Sequence, residues 1–358
     1  MSGDLPVCTR RRALLAAGAL ACGRPFAAWA GASPPPALDP LDPLQQKAPR
    51  HASGTQAVLM AAARAGRRIV VAGERGLVLL SDDAGLHWTQ AEVPVSVTLT
   101  ALQFVDERRG WAAGHSGIVL ATDDGGRRWR RVLDGFELAR LPAEPVAGNE
   151  ESPLPSPGDP LLDLCFTDAE HGWVVGAFGT VLRTADGGRR WSPQQARVPN
   201  PDGLHLYSVR ASGRRVCVAG ERGGLFLSVD AGERFEAVRS PYEGSFFGQL
   251  LLADGSWLVY GLRGHAFRSE DQGRQWQPVV TGATASFTGA LQCPDGRIVL
   301  VSQAGEVFVG DAAARRFTAL PRRQPPLHAV AIASDTSLLT VGLAGLALLP
   351  LASPAARS

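Results

Sequence analysis

Five carboxylates recur at one fixed place in a repeated pattern, and carboxylates held in a repeated polar setting could serve as general acids or bases. Asp83, Asp124, Asp186, Asp230 and Asp271 each take the third position of Ser/Thr-x-Asp-x-Gly-x-x-Trp/Phe. The copies run Ser81 to Trp88, Thr122 to Trp129, Thr184 to Trp191, Ser228 to Phe235 and Ser269 to Trp276. Their setting argues against catalysis. An aspartate in such a tight turn accepts backbone N–H bonds, so its carboxylate is consumed locally. Gly85, Gly126, Gly188, Gly232 and Gly273 supply a conformation that a Cβ disfavours, and the closing aromatic packs back on the sheet. The five aspartates therefore read as structural, and the unit as the Asp-box, or bacterial neuraminidase repeat.

Other reactive types are sparse. Sialidases are Asp-box proteins that use a tyrosine nucleophile, an acidic partner and an arginine cluster to clamp the substrate carboxylate. Only Tyr207, Tyr242 and Tyr260 are available here, and Arg67 to Val70 (RRIV) lacks the proline of the Arg-Ile-Pro motif expected before the first box. A sialidase-like glycoside hydrolase is the alternative reading, as is a carbohydrate-binding propeller whose hairpin tryptophans stack on sugars. The closing tryptophans are needed for packing, which counts against the latter. His51, His87, His115, His171, His205, His265 and His328 lack ligand spacing. Cys165, Cys217 and Cys293 are odd in number and far apart, as small buried strand residues would be. No metal, cofactor or enzymatic activity is expected.

The elements that position these residues repeat as well. Each box follows an inner strand, a polar turn, a second strand ending in glycine, a Gly-x-x-Gly turn and a third strand, and a fourth strand follows the box: one propeller blade. The second strands end at Gly73, Gly114, Gly176, Gly220, Gly261, Ser302 and Gly342, at spacings of 41, 62, 44, 41, 41 and 40 residues. The fold class is thus all-β: a seven-bladed β-propeller of four-stranded antiparallel blades, spanning 53–352, with a tail at 353–358. The one long interval holds a Pro-rich loop inserted at 138–160, whose prolines cannot join a ladder. The sixth box keeps Asp311 but loses its glycine, and the seventh unit stops after three strands. Closure without a free edge predicts that part of Leu41 to His51, in a Pro-rich linker over 31–52, supplies the outermost strand of blade seven.

Residues 1–30 read as a twin-arginine signal peptide: Arg10-Arg11-Arg12, an apolar run from Ala13 to Gly23, then Ala28-Trp29-Ala30 as the cleavage site. The apolar run is too short to span a bilayer. Cys22 follows a poor version of a lipoprotein box, so lipid anchoring is not expected. The full chain carries a net +2; residues 1–30 hold four arginines against Asp4, a net +3, which leaves the mature chain near −1. A nucleic-acid partner therefore loses its electrostatic support. Lys47 is the single lysine, so nearly every cation is a planar, bidentate arginine.

Written out as FxDxxxGWxxGxxGxxLxTxDGGxxW, Phe104 to Trp129 and Phe166 to Trp191, with Gly110-Trp111 and Gly172-Trp173, resemble the photosystem II stability and assembly factor family. The resemblance implies a non-enzymatic, exported scaffold in the periplasm or thylakoid lumen. Its implied partner is a membrane-protein client: a photosystem subunit in a photosynthetic host, otherwise a transporter or other envelope complex. The chain is expected to act as a monomer. The variable residues of the Gly-x-x-Gly turns ring one channel mouth, and arginines and aromatics are favoured interface anchors. Arg75, His115, Phe178, Arg222 and Arg263 are therefore the expected client contacts. Arg127-Arg128 and Arg189-Arg190, on the opposite face, read as solvated hairpin tips.

Overall fold

The computed structural model describes residues 42–142 and 155–351. It forms seven antiparallel meanders around one axis, and their second strands run Arg68–Gly73, Gly110–Gly114, His171–Gly176, Arg215–Gly220, Trp257–Gly261, Ile298–Ser302 and Ser337–Gly342. All seven end at the residue that the spacing selects. Six sheets have four strands; among the described residues the seventh has three, Leu327–Ser334, Ser337–Gly342 and Gly345–Pro350.

Local turn chemistry builds each hairpin. In the first box Asp83 Oδ1 accepts from the His87 N–H at 2.9 Å and from the Ser81 hydroxyl at 2.8 Å, and that hydroxyl in turn accepts from the Gly85 N–H at 2.8 Å. The Trp88 indole N–H closes the turn on the Gly85 carbonyl at 3.0 Å. Gly85 sits at φ +93°, where a side chain would be strained. The carboxylate bonds recur around Asp124, Asp186, Asp230 and Asp271, while the indole bond recurs at Trp129 and not at Trp191 or Trp276.

The FxDxxxGW stretch has an equally physical origin. Asp168 accepts the backbone N–H groups of Glu170 and His171 and so fixes the turn. Gly172 leaves room for the Phe166 ring, which lies flat on Trp111 of the preceding blade with centroids 3.7 Å apart and planes 5° from parallel. The Trp111 indole then donates to the Gly187 carbonyl in the next blade's box. One short motif thus packs its own hairpin and grips a neighbour.

The core lies between blades. Buried residues form seven apolar clusters, one for each seam between neighbouring blades, including the seam of blade seven with blade one. In that last seam Leu59, Ile69 and Val71 meet Ala333, Leu339 and Val341. His328 Nδ1 adds a bond to the Leu59 carbonyl at 2.9 Å; a carbonyl only accepts, so Nδ1 carries the proton. At Gly345 the backbone of blade seven lies directly on Thr55 and Gln56, just before blade one.

Closure therefore differs from the expectation that part of Leu41 to His51 supplies a strand to blade seven. The described part of that segment, 42–51, runs along blade one. The Ala48 N–H donates to the Val93 carbonyl at 3.0 Å, the Ser96 N–H to the Pro43 carbonyl at 2.8 Å, and the His51 N–H to Gln90 Oε1 at 3.0 Å. Leu44 is buried in the seam between blades one and two. Pro43 and Pro49 lack the donors that a continuous ladder needs, so the segment docks through isolated bonds, donated by the Ala48 and His51 N–H groups and accepted by the Pro43 carbonyl, and one apolar anchor. The ends of the 138–160 insertion are also docked. Asp134 caps a short helical turn, Gly135–Leu138, that buries Leu138, and the Gly117 N–H donates to the Asp159 carbonyl. The twin-arginine segment and residues 143–154 lie outside the described residues.

The boxes also set the response to acid. The N–H groups of His87, Arg234 and Gln275 hold Asp83, Asp230 and Asp271 below the usual carboxylate range. A carboxylate whose folded pKa lies below its unfolded value near ~3.9 contributes stability that is fully present above that value and is lost as pH falls through the folded pKa. The melting temperature should be flat from about pH 7 to about pH 5 and fall progressively below about pH 4. Scanning calorimetry across that range checks this, and equal melting at pH 6 and pH 3 would contradict it.

Candidate functional site

The two faces of the ring carry different chemistry. Gly-x-x-Gly turns share one face with the links between blades, as the bonds from the Gly76 N–H to the Val97 carbonyl and from the Gly223 N–H to the Gly244 carbonyl show. Asp-box hairpins share the other face with the turns between first and second strands, as the Gly125 N–H to Arg108 carbonyl bond shows.

On the first face Arg75, His115, Phe178, Arg222 and Arg263 occupy the turn tips of blades one to five, all exposed. Arg75, Phe178, Arg222 and Arg263 are left-handed, with φ between 49° and 56°, an uncommon state for residues other than glycine. The turn closes through its neighbours' backbone and leaves these side chains outside. Among the described residues none of the three guanidiniums has a carboxylate partner, and no hydrogen bond, ion pair or ring contact joins any two of the five. The turn geometry places Arg75, Phe178, Arg222 and Arg263 at equivalent positions without pairing them, while His115 stands one residue earlier in its turn, where Ser116 takes the left-handed place. The box-face arginines differ: Arg190 pairs with Asp186 at 2.9 Å and Arg128 with Glu92 at 3.5 Å.

Phe178 leads inward. Its ring, 46% exposed, meets His205 edge to face at 4.9 Å; His205 lies 6.4 Å from Tyr207, and Tyr207 lies 5.3 Å from Phe247. Glu221 fixes this ladder by accepting from the His205 N–H and the Tyr207 hydroxyl. Burial, and then the Glu221 carboxylate, push the Tyr207 hydroxyl up to about 12.

The ladder ends at an axial channel of about 180 Å³, lined by the inner strands of all seven blades. Sequence reading missed its polar centre. Asp163 of blade three accepts from the Ser208 hydroxyl at 2.9 Å, the Val209 N–H at 3.0 Å and Arg210 Nη1 at 2.5 Å, all of blade four. Burial works against the Arg210 charge, but Asp163 outweighs it and raises the pKa above the ordinary arginine value. Tyr260 of blade five reaches the lining beneath Gly248, where any Cβ would overlap its hydroxyl, and burial pushes that hydroxyl well up. The available signal was one charged residue within each of two inner strands, LLDLCF and LYSVRAS. Cys165, Cys217 and Cys293 are free and buried, with Cys217 pushed by burial up to about 12 and Cys293 up to about 11, so their thiols stay protonated.

Comparison with known proteins gives one family. The family model described as "Photosynthesis system II assembly factor YCF48" matches residues 59–152 and 153–323. A photosystem II assembly lipoprotein Ycf48 of Synechococcus sp. (strain CC9902) is 34% identical over 74 residues, 21% of this chain and 22% of that protein. A chloroplastic photosystem II stability/assembly factor HCF136 of Guillardia theta is 50% identical over 44 residues, 12% of this chain and 11% of that one. The aligned stretches thus span at most about a quarter of these curated relatives. A solved YCF48 bound to D1 peptide superposes with a TM-score of 0.62 at 15% identity, covering 83% of this chain and 94% of that chain. A GH74 enzyme of Niastella koreensis superposes with a TM-score of 0.63 at 12% identity, covering 84% of this chain and 53% of that one. Likeness at such identities shows the fold, and this fold carries both an assembly factor and an enzyme, so function must be argued from the site.

Proposed function

The chain belongs to the photosynthesis system II assembly factor YCF48 family, and from that membership we propose that it is an exported, non-catalytic scaffold that holds a membrane-protein client during assembly. The observation that carries the reading is the ring of turn tips. Arg75, Arg222 and Arg263 stand exposed with no carboxylate partner among the described residues, on the same face as the exposed Phe178. Unpaired guanidiniums sharing a face with an exposed aromatic suit a peptide segment with acidic or carbonyl acceptors and an apolar side chain. The solved relative bound to a D1 peptide supports a client of reaction-centre type where the host is photosynthetic. In another host the client is a transporter or other envelope complex. The scaffold acts as a monomer after twin-arginine export directed by residues 1–30.

Hydrolysis fits less well. A tyrosine nucleophile needs a depressed pKa or an adjacent base, whereas burial raises that of Tyr260. Asp163 already takes three donors on one oxygen. Among the described residues Arg210 is the one arginine in the channel lining, short of a clamp.

Crosslinking in the native envelope, followed by affinity capture, tests the proposal. Wild-type protein should enrich one integral membrane protein, and the triple variant Arg75→Glu, Arg222→Glu, Arg263→Glu should lose it at an unchanged melting temperature. The same proteins captured by both forms would move the client surface elsewhere; no membrane protein captured by either would end the scaffold reading.

A further inference from the structure

We propose that the axial channel is a binding site for a small carboxylate, gripped by the outer edge of Arg210 and the hydroxyl of Tyr260. The site lies apart from the ring of turn tips and uses none of its residues.

Asp163 has little capacity left. Its Oδ2 accepts from Ser208, Val209 and Arg210, and its Oδ1 lies 2.9 Å from the Leu164 N–H. Arg210 spends only Nη1, on Asp163 and on the Val209 carbonyl. Among the described residues its Nε and Nη2 have no partner, and these two parallel donors match the two oxygens of a carboxylate. Asp163 thus orients the guanidinium and leaves one edge for a ligand.

Tyr260 supplies the second contact. Its side chain is 4% exposed, and its hydroxyl has no hydrogen bond among the described residues. The hydroxyl stays open to the channel rather than sealed from it, and Gly248 is what lets it reach that lining, where a ligand oxygen can accept its proton. Neighbouring hydroxyls are already committed: Tyr207 to Glu221, Thr100 to the Leu161 carbonyl, Thr288 to the Leu327 carbonyl. Met60, Leu102 and Phe247 form apolar parts of the wall. A volume of about 180 Å³ corresponds to about six waters at ~30 Å³ each, enough for acetate or a short dicarboxylate. Because Asp163 already offsets part of the Arg210 charge, binding should saturate at millimolar rather than micromolar ligand.

Saturation-transfer NMR on the acetate methyl group, with the mature protein at pH 7, tests the site. Wild type should give a saturable signal that chloride at equal ionic strength does not remove. Tyr260→Phe deletes one oxygen and should weaken binding about tenfold, the worth of a hydrogen bond to a charged group. Arg210→Lys keeps a cation for Asp163 but loses the planar edge, and should weaken binding by about tenfold or more. The triple Arg→Glu variant of the ring should bind acetate as wild type does, so this result stands or falls separately from the client surface. No saturable signal, displacement by chloride, or wild-type affinity in both channel variants would overturn the proposal.

Discussion

Gly345→Ala is expected to lower the melting temperature by about 10 °C, far more than an alanine at an open glycine. Gly345 has φ +91°, and a Cβ there would overlap the Thr55 carbonyl oxygen and come within 2.6 Å of the Gln56 Cα. Both obstacles are backbone, so no side chain can swing aside. Strain at such a φ costs about 1–3 kcal/mol. The collision adds to it, because blade seven must lift off the start of blade one. A total of about 3–5 kcal/mol, at about 2–4 °C per kcal/mol for a large domain, gives the stated shift. Gly213→Ala is the control: φ +57° at a hairpin tip with nothing within 4 Å of the added carbon. It carries strain of about 1 kcal/mol without a collision. If both variants melt alike by circular dichroism, the Gly345 contact is not what holds the ring shut.

That contact separates what the chain reveals locally from what it does not. Blade number, second-strand ends and box positions were legible because each rests on residues within eight positions of one another, such as Ser81, Asp83, Gly85 and Trp88. Closure was not. A three-stranded last unit suggested a missing partner strand, whereas the seam of Leu59 and Ile69 with Leu339 and Val341 closes the ring by apolar packing. The segment 42–51 instead meets blade one through Val93, Ser96 and Gln90. The turn-tip residues were legible as positions, since glycines bracket them, and a left-handed backbone at Arg75, Phe178, Arg222 and Arg263 explains why these project. The channel centre was hidden because Asp163, Arg210 and Tyr260 sit 97 residues apart from first to last, on three blades, with no fixed spacing between them. Only the ring brings them to one lining.

Trp257→Ala should be the most damaging single change away from the ring's closure, because it opens a cavity and orphans a buried amide together. Trp257 is 1% exposed and heads the largest fully buried side chains. Its indole N–H donates to Gln249 Oε1 at 2.7 Å. Gln249, fully buried, passes its own amide protons to the Ser208 and Cys217 carbonyls of blade four, at 3.0 Å each. The pair therefore ties blade five to the strand that carries Ser208 and Arg210. Emptying the site costs about 3–5 kcal/mol, and the unpaired Oε1 about 1–3 kcal/mol more. The expected fall in melting temperature is thus more than about 10 °C. Trp257→Phe fills most of the space and isolates the polar part. In wild-type background it leaves Gln249 Oε1 without a donor. In a Gln249→Leu background it removes an indole N–H that has already lost its acceptor. The Trp257→Phe penalty should accordingly shrink by about 1–3 kcal/mol when Gln249 is leucine. Denaturant unfolding of the four proteins measures that coupling. Strict additivity would mean that the indole serves only as bulk, and that Gln249 holds the blade-four strand without help from Trp257.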